Sequence, residues 1–291
     1  MKKIILFAVL FTQYFAFAQN TEFYDVVSSE DDSLFVLGND GNIYDRVIIT
    51  ETSNNPISGF TGMTIHPNNG TIYVVVKNQP TRYLATLDME TSSITKIASL
   101  SDKISSIAFA NNILYGITGD GGVNPNRLYS IDLSSGNLAE LADFSSLVDD
   151  DVEAIAFNTS DGYMYRMAGG SWLYKIDLTN FSSTLVTESL LDDGISGHAF
   201  YFNGTDFISL SSDICTMTSS GVQSNCNSLD NDFKGILPSS FVNIPELISN
   251  HEKQLLKIVN LLGQEVEYTP NTILIYQYSD GTSEKVFTIE Y

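Results

Sequence analysis

An internal repeat of about 44 residues constrains the fold of this chain more than any other feature. Its clearest marker is an aspartate that ends an apolar segment, and the copies at Asp88, Asp132 and Asp177 lie 44 and 45 residues apart. A run similar to Ile-Ala-Phe precedes each marker, and turn formers such as Asn-Gly and Asp-Gly separate the apolar segments. The chain is therefore an array of similar supersecondary units.

Each unit contains four short apolar segments, which is typical of a β-propeller blade. The first, innermost strand of successive units is predicted around residues 63–65, 107–109, 155–157 and 198–200. We predict an all-β fold, a β-propeller of about five four-stranded blades over residues 19–243, with six blades as the alternative. The segment 233–237 resembles one more inner strand, which could close the ring by pairing across the termini. A β-sandwich is the rival fold, but it needs no such repeat, and the β-branched and aromatic runs exclude a helical solenoid.

The units resemble those of secreted bacterial propellers, whose blades carry the pattern Leu-Tyr-x-Ile-Asp-x-x-(Ser/Thr)-Gly. The clearest copy here runs from Leu128 to Gly136. The resemblance implies the architecture and no particular activity, because propellers host binding and catalysis alike. We assign Asp88, Asp132 and Asp177 a structural role, in which each side chain caps the turn that follows it.

The first eighteen residues have the three-part pattern of a secretory signal peptide. Lys2 and Lys3 precede an apolar run over residues 4–17, and Ala-Phe-Ala at 16–18 is a cleavage site. An N-terminal membrane anchor is the rival interpretation, but the run is short for a bilayer of about 30 Å. No later segment is long and apolar enough to span a membrane, so we expect an exported chain without a membrane span.

Two cysteines, Cys215 and Cys226, flank a Ser-Ser-Gly turn signal. The turn places them near facing positions of a hairpin, and an exported protein meets an oxidising compartment. We predict that they form a disulfide. The alternative is a pair of free thiols, and no further soft ligand lies nearby to make a metal site.

The end of the chain predicts a small separate β segment. Residues 244–254 read as a linker after the propeller, and residues 255–291 contain short strands with turns at Gly263 and Asp280-Gly281. This segment resembles the C-terminal sorting domain of the type IX secretion system of Bacteroidetes. The residues that match the family pattern are Leu262, Gly263, Glu265, Val266, Asn271, Leu274, Tyr276, Asp280, Gly281, Thr282, Glu284 and Lys285.

That resemblance implies passage through the periplasm, export by the type IX machinery, and then attachment to the outer cell surface or release. A final β-hairpin with no sorting role is the alternative interpretation of the same residues.

The charge of the chain excludes several classes of partner. Its 35 acidic and 14 basic residues give a net charge of −21, which disfavours nucleic acids and anionic membranes. Many aspartates precede predicted inner strands or lie in loops that we expect on the same face, where they would form one negative rim around the channel. These residues are Asp40, Asp102, Asp120, Asp149, Asp150, Asp151, Asp192, Asp193, Asp230 and Asp232.

The rim has two interpretations. Solvated loops explain it without a ligand, whereas a cation or partner site would use its carboxylates. If the rim holds a cofactor, Ca²⁺ is the candidate, because it takes several oxygen ligands. No other cofactor is implied, and the sequence contains no Asp-x-Asp-x-Asp-Gly calcium loop.

Catalytic motifs are scarce. The three histidines are His66, His198 and His251, and the chain contains no Gly-x-Ser-x-Gly, His-x-x-x-His or Cys-x-x-Cys motif. The leading hypothesis is a propeller that binds an extracellular glycan, peptide or protein. The alternative is a glycan-cleaving hydrolase or lyase with carboxylates at the channel mouth, for which Asp151 and Glu153 are a conceivable pair.

Overall fold

The computed structural model is built from β-strands and contains no helix in the part of the chain that it describes. That part comprises residues 21–53, 55–147, 153–169, 172–188, 199–239, 255–260, 263–266, 268–278 and 283–287. The predicted signal peptide at 1–18 and the predicted linker at 244–254 lie outside it. Its strands form six sheets, of which five are the blades of a propeller and one is a small C-terminal sheet.

Each blade has four antiparallel strands. Blade 1 contains β1 (Phe23–Ser28), β2 (Ser33–Gly38) and β3 (Ile43–Ile48), together with a later inner strand. A short strand β4 (Thr50–Glu51) leads into blade 2, which contains β5 (Phe60–Ile65), β6 (Ile72–Asn78), β7 (Thr81–Asp88) and β8 (Ser93–Leu100). Strand β4 pairs in parallel with the outer strand β8, an addition that the repeat did not predict.

The next three blades follow the repeat directly. Blade 3 contains β9 (Ile104–Ala110), β10 (Ile113–Thr118), β11 (Arg127–Ile131) and β12 (Leu138–Asp143). Blade 4 contains β13 (Glu153–Asn158), β14 (Tyr163–Ala168), β15 (Trp172–Ile176) and β16 (Ser183–Thr187). Blade 5 contains β17 (Ala199–Phe202), β18 (Phe207–Leu210), β19 (Asp213–Met217) and β20 (Gln223–Ser228).

The ring closes between the two ends of the propeller. Strand β21 (Phe233–Pro238) pairs antiparallel with β1 and becomes the inner strand of blade 1, with Val26 opposite Ile236. The five inner strands β21, β5, β9, β13 and β17 contact one another in that cyclic order. The predictions of an all-β propeller and of about five blades are confirmed, and the closing segment at 233–237 pairs as expected.

Burial on both sides of each blade explains why these sequences form packed strands. In β6 the side chains alternate, so that Val74 and Val76 pack toward one neighbouring cluster whereas Tyr73 and Val75 pack toward another. β-Branched and aromatic residues suit such a surface because successive side chains of a strand point to opposite faces.

The antiparallel order defines two faces of the propeller. The blade-to-blade connections, and the loops between the second and third strands, lie where the inner strands begin, near Asp102, Glu153 and Lys234. We call this the start face. The opposite face, where the inner strands end near Ile65 and Leu237, is the end face.

The three repeat aspartates cap their turns, as the sequence predicts. The carboxylate of Asp88 accepts the backbone N–H of Thr91, that of Asp132 accepts from Ser134 and Ser135, and that of Asp177 accepts from Thr179. These hydrogen bonds stabilise the charged form and lower the pKa of each carboxyl.

The predicted disulfide between Cys215 and Cys226 is present, with Cα atoms 4.2 Å apart. It joins the third and fourth strands of blade 5 at a register shift, where Ile214 pairs with Asn227 and Thr216 pairs with Ser224. The disulfide closes a short loop, so it is expected to contribute about 2–3 kcal/mol to the free energy of unfolding.

The C-terminal sheet is antiparallel, in the order β22 (Leu255–Val259), β23 (Ile273–Tyr278) and β24 (Ser283–Phe287). Gly263 and Asn271 lie between β22 and β23 with positive φ values of 75° and 60°. Glu265 forms a bridge with Val259. Of the residues that match the sorting pattern, Leu262, Asp280, Gly281 and Thr282 lie outside the described residues.

Candidate functional site

The end face opens into a central cavity of about 350 Å³. All five inner strands contribute to its lining, with Ile65 from β5, Phe109 from β9, Phe157 from β13, Tyr201 from β17 and Leu237 from β21. Closure of the ring is therefore what completes the cavity, because its walls come from both ends of the propeller sequence.

The lining of this cavity is apolar and aromatic, with a few hydrogen-bonding groups. None of the described residues that line it carries a carboxylate, an amine, a guanidinium or an imidazole. Its polar groups include Thr64, Asn203 and the hydroxyl of Tyr201. Burial raises the pKa of the Tyr201 hydroxyl. Ile65 stands at the edge with 40% of its surface exposed. Such a cavity offers hydrophobic contact and orientation, and its lining supplies no acid–base pair.

His66 lies beside this cavity. Its ring stacks against Phe109 with centroids 4.8 Å apart, and its Nδ1 accepts the backbone N–H of Asn68 at 3.2 Å. One ring nitrogen is thus used to hold a turn. His198 and His251 lie outside the described residues.

On the start face, Asp102 organises a loop. Its side chain is buried and accepts the backbone N–H groups of Lys103, Val123 and Asn124 at 2.7, 2.6 and 3.1 Å. These bonds hold the loop between β10 and β11 against the start of β9. A carboxylate already satisfied by three amides has little capacity left for a cation.

The other predicted rim residues have mixed surroundings. Asp232 accepts the hydroxyl of Ser29 at 2.5 Å and lies 3.7 Å from the Lys234 ammonium. Asp120 and Asp230 are exposed. Asp149, Asp150, Asp151, Asp192 and Asp193 lie outside the described residues. Within the described ranges, no three His, Cys, Asp or Glu side chains come together as a metal site, so calcium binding stays a prediction.

Asp40 lies on the end face, not on the start face with Asp102, Asp120, Asp230 and Asp232. The reason is the closing strand, which makes β21 the first strand of blade 1 and the turn between β2 and β3 its third-to-fourth connection. The Asp40 carboxylate accepts hydrogen bonds from Asn42 and Tyr44, which lower its pKa against the opposing effect of burial.

The start face also holds three cations whose proximity the sequence does not predict. Lys77 and Arg82 are direct cross-strand partners on β6 and β7, and Lys234 lies within electrostatic reach of both. We call these three residues the basic cluster. Burial lowers the pKa of Lys234 to about 8 and that of Arg82 to about 10, and it also lowers the pKa of Lys77. The sequence gives no local signal for the cluster, because Lys234 comes from the opposite end of the propeller.

Glu153, one of the acids considered for hydrolysis, forms a buried ion pair. Its two carboxylate oxygens accept from Nε and Nη2 of Arg166 at 2.5 and 2.6 Å, and both side chains are fully buried. The guanidinium also faces the rings of Phe144 and Tyr174, at 5.0 and 5.5 Å. Burial raises the pKa of Glu153 although Arg166 opposes the rise. In this geometry the carboxylate is closed off from a substrate.

Part of the chain is similar to a known repeat family. Residues 12–151, just under half of the chain, match a family described as a repeat of unknown function, DUF6923. The matched range contains strands β1 to β12, which supply most of the first three blades. No curated protein sequence matches the chain significantly.

Solved structures are similar at the level of the fold. One chain of a crystal structure of a nidogen/laminin complex superposes with a TM-score of 0.50 and 8% identity, covering 73% of this chain and 97% of that one. A structural genomics protein of unknown function from Bacteroides thetaiotaomicron gives a TM-score of 0.43 and 12% identity, covering 90% and 64%. In the described part of this chain, no helix has the length and apolar character needed to cross a membrane.

Proposed function

We propose that this protein is an exported β-propeller that binds an extracellular glycan, peptide or protein at the cavity of its end face. The observation that carries the proposal is the cavity itself, which is central, apolar and lined by all five inner strands. Repeat architecture and propeller fold are consistent with a binding module, although fold alone does not define a ligand.

The physical basis of binding would be burial of apolar surface in a site that is already formed. Phe109, Phe157 and Tyr201 stand on neighbouring inner strands, so their positions are fixed by the sheet and little ordering is needed on binding. Aromatic rings suit both the apolar face of a sugar and an apolar peptide side chain, and Asn203 can orient either one by hydrogen bonding.

The proposal includes sorting of the propeller by its C-terminal segment. It is supported by the sequence similarity to type IX sorting domains, and Gly263 and Asn271 stand at positive φ beside the strands of a three-stranded sheet. The partner in this step is the type IX secretion machinery, and the destination is the outer cell surface or the medium.

The binding proposal is tested with glycan and peptide arrays probed by the chain from residue 19 onward. Ile65→Asp places a charge at the edge of the cavity and is expected to abolish binding of the array ligand. Ile48→Asp is the matched control, because Ile48 lies on the outer strand β3, outside the lining of the cavity, and is 49% exposed, compared with 40% for Ile65. An array ligand that the Ile65→Asp variant and the wild type bind equally would show that the cavity is not the binding site.

A further inference from the structure

A second cavity lies at the seam between blade 5 and blade 1, the two blades that meet where the ring closes. Its volume is about 300 Å³, and no described residue lines both this cavity and the end-face cavity. One wall comes from blade 1, around the turn that contains Asp40, and the other comes from strands β18, β19 and β20 of blade 5. We call it the seam cavity.

Contacts between the two blades fix the walls of the seam cavity. Nδ2 of Asn227 donates a hydrogen bond to the backbone oxygen of Asn39 at 2.8 Å, which joins β20 to the turn between β2 and β3. A Cβ atom at Gly41 would lie 2.8 Å from the carbonyl oxygen of Ser228, so the two backbones approach closely there. The disulfide at Cys215 links the strands of the blade 5 wall. Because these walls are held in place, a ligand loses little affinity to ordering of the protein.

The lining of the seam cavity is polar, in contrast to that of the end-face cavity. None of the described residues that line it is a lysine, an arginine or a histidine. Ile208 and Ile214 add apolar surface. The polar side chains of the lining include those of Glu22, Asn39, Asp40, Thr216, Asn225 and Asn227.

Several of these polar groups are free within the described part of the chain. The side-chain amides of Asn39 and Asn225 make no hydrogen bond there, although the backbone oxygens of both accept one from Asn227. Glu22 uses Oε2 to accept the hydroxyl of Tyr24 at 2.7 Å, which leaves its Oε1 available. An amide both donates and accepts, whereas a carboxylate oxygen only accepts. The seam cavity therefore fits a ligand that presents donors and acceptors together.

The charges at the seam cavity disfavour ionic ligands. An anion would face the carboxylates of Glu22 and Asp40 with no cation in the described lining, and like charges brought together in this way repel. A cation would leave the amide donors of Asn39 and Asn225 without acceptors, which weakens binding. It would also find Asp40 occupied, because both oxygens of that carboxylate already accept hydrogen bonds from Asn42.

We propose that the seam cavity binds a neutral sugar unit of a glycan. Each hydroxyl of a sugar donates and accepts, which matches the free amides and the free carboxylate oxygen, and the C–H surface of the ring can pack on Ile208 and Ile214. Its volume of about 300 Å³ is at the lower end of the range for small-molecule sites, which suits a short unit of the glycan. This inference rests on the proposed binding function, and it narrows the ligand to a neutral glycan held at a site outside the end-face cavity.

Saturation-transfer NMR on the chain from residue 19 onward tests the proposal. The probes are the methyl glycosides of glucose, galactose, mannose and N-acetylglucosamine, with methyl glucuronide as the anionic counterpart and arginine as the cation. At least one neutral glycoside is expected to bind about tenfold more tightly than methyl glucuronide or arginine, because the cavity accommodates neither charge. Equal binding of either charged probe, or no binding of any neutral one, would overturn the proposal.

Variants assign the bound glycoside to one of the two cavities. Thr216→Val removes a hydroxyl and keeps the shape of the side chain, and Asn39→Ala removes a free amide but leaves the backbone oxygen that accepts Asn227. Each is expected to weaken binding about five- to tenfold. Thr95→Val makes the same change as Thr216→Val on the outer strand β8 and should bind as the wild type does.

The Ile65→Asp variant of the end-face cavity separates this proposal from the proposed function. It should keep the full affinity for the neutral glycoside, because the two cavities share no described lining residue. Loss of binding in Ile65→Asp, with wild-type affinity in Thr216→Val and Asn39→Ala, would overturn the seam site and support the end-face cavity instead.

Discussion

Single carboxylates hold the turns that repeat along this propeller. The Asp132 carboxylate accepts four hydrogen bonds, from the backbone N–H and the hydroxyl of both Ser134 and Ser135. Asp88 and Asp177 occupy the corresponding positions of the blades on either side. Because each bond is stronger to the charged carboxylate, the turns depend on ionisation.

Substitution of Asp132 should therefore have a pH-dependent effect. Its pKa lies below the ordinary value of 3.8 in the folded state, so its contribution to stability is present above that value and is lost as the pH falls through the folded pKa. In urea unfolding at pH 7, the free energy of unfolding should be highest for wild type, lower for Asp132→Asn and lowest for Asp132→Ala. At pH 3 the difference in this free energy between wild type and Asp132→Asn should be smaller. A larger difference at pH 3 would contradict this role.

The buried pair of Glu153 and Arg166 predicts an asymmetric response to mutation. Arg166→Met leaves a carboxylate without its counter-charge in a fully buried position, which is expected to cost about 3–5 kcal/mol in the free energy of unfolding. Replacing both residues, as Glu153→Leu with Arg166→Met, should recover most of this loss. Denaturant unfolding measures both effects, and a double variant less stable than Arg166→Met would contradict the explanation.

At the scale of the strand, closure depends on a close approach of β21 to β5. A Cβ atom at Gly235 would lie 2.6 Å from the backbone nitrogen of Met63, and φ is 99° there. Gly70 also has a positive φ, of 72°, but nothing lies within 4 Å of its Cβ position. Gly70→Ala should lower the free energy of unfolding by about 1–2 kcal/mol, because alanine is strained at positive φ. Gly235→Ala should lower it by the same amount and by about 1–3 kcal/mol more, because its Cβ atom also clashes with β5. Similar unfolding midpoints for the two variants would show that β21 is not packed as described.

The strands themselves were largely predictable, because alternation and turn residues are local signals. The inner strands around 107–109 and 155–157 and the turn-capping role of Asp132 follow directly from the repeat. Strand β4 was not predictable, since two residues carry no period. The prediction that Asp40 lies on the start face is wrong because the closing strand shifts the strand count of blade 1 by one. Strand pairing between the two ends of the propeller has no local signal in the sequence.

The functional sites were less predictable than the blades. The end-face cavity uses one or a few residues from each inner strand, so its apolar character resembles ordinary core sequence until the ring is closed. The basic cluster joins Lys77 and Arg82 to a residue more than 150 positions away. In contrast, the aspartates of the predicted rim are easily recognised in the sequence. The structure nevertheless gives Asp102 a structural role, because its carboxylate binds the backbone of a loop.

At the scale of the whole molecule, the two ends of the chain are predicted to act in transport. Deletion of residues 255–291 should leave the propeller folded but retain it in the periplasm, because the proposed sorting segment is lost. Cell fractionation with a protease-accessibility assay measures this, with the Lys257→Met variant as a control that keeps the segment. Normal surface display of the truncated protein would contradict the sorting role.

Hydrogen exchange measured by mass spectrometry tests whether a ligand occupies the end-face cavity. The chain is compared with and without its strongest array ligand. We expect slower exchange in three turns that follow inner strands, at residues 66–71, 159–162 and 203–206, because residues of these turns line the cavity. Protection confined to the start face or to the outer strands, with these turns unchanged, would contradict it.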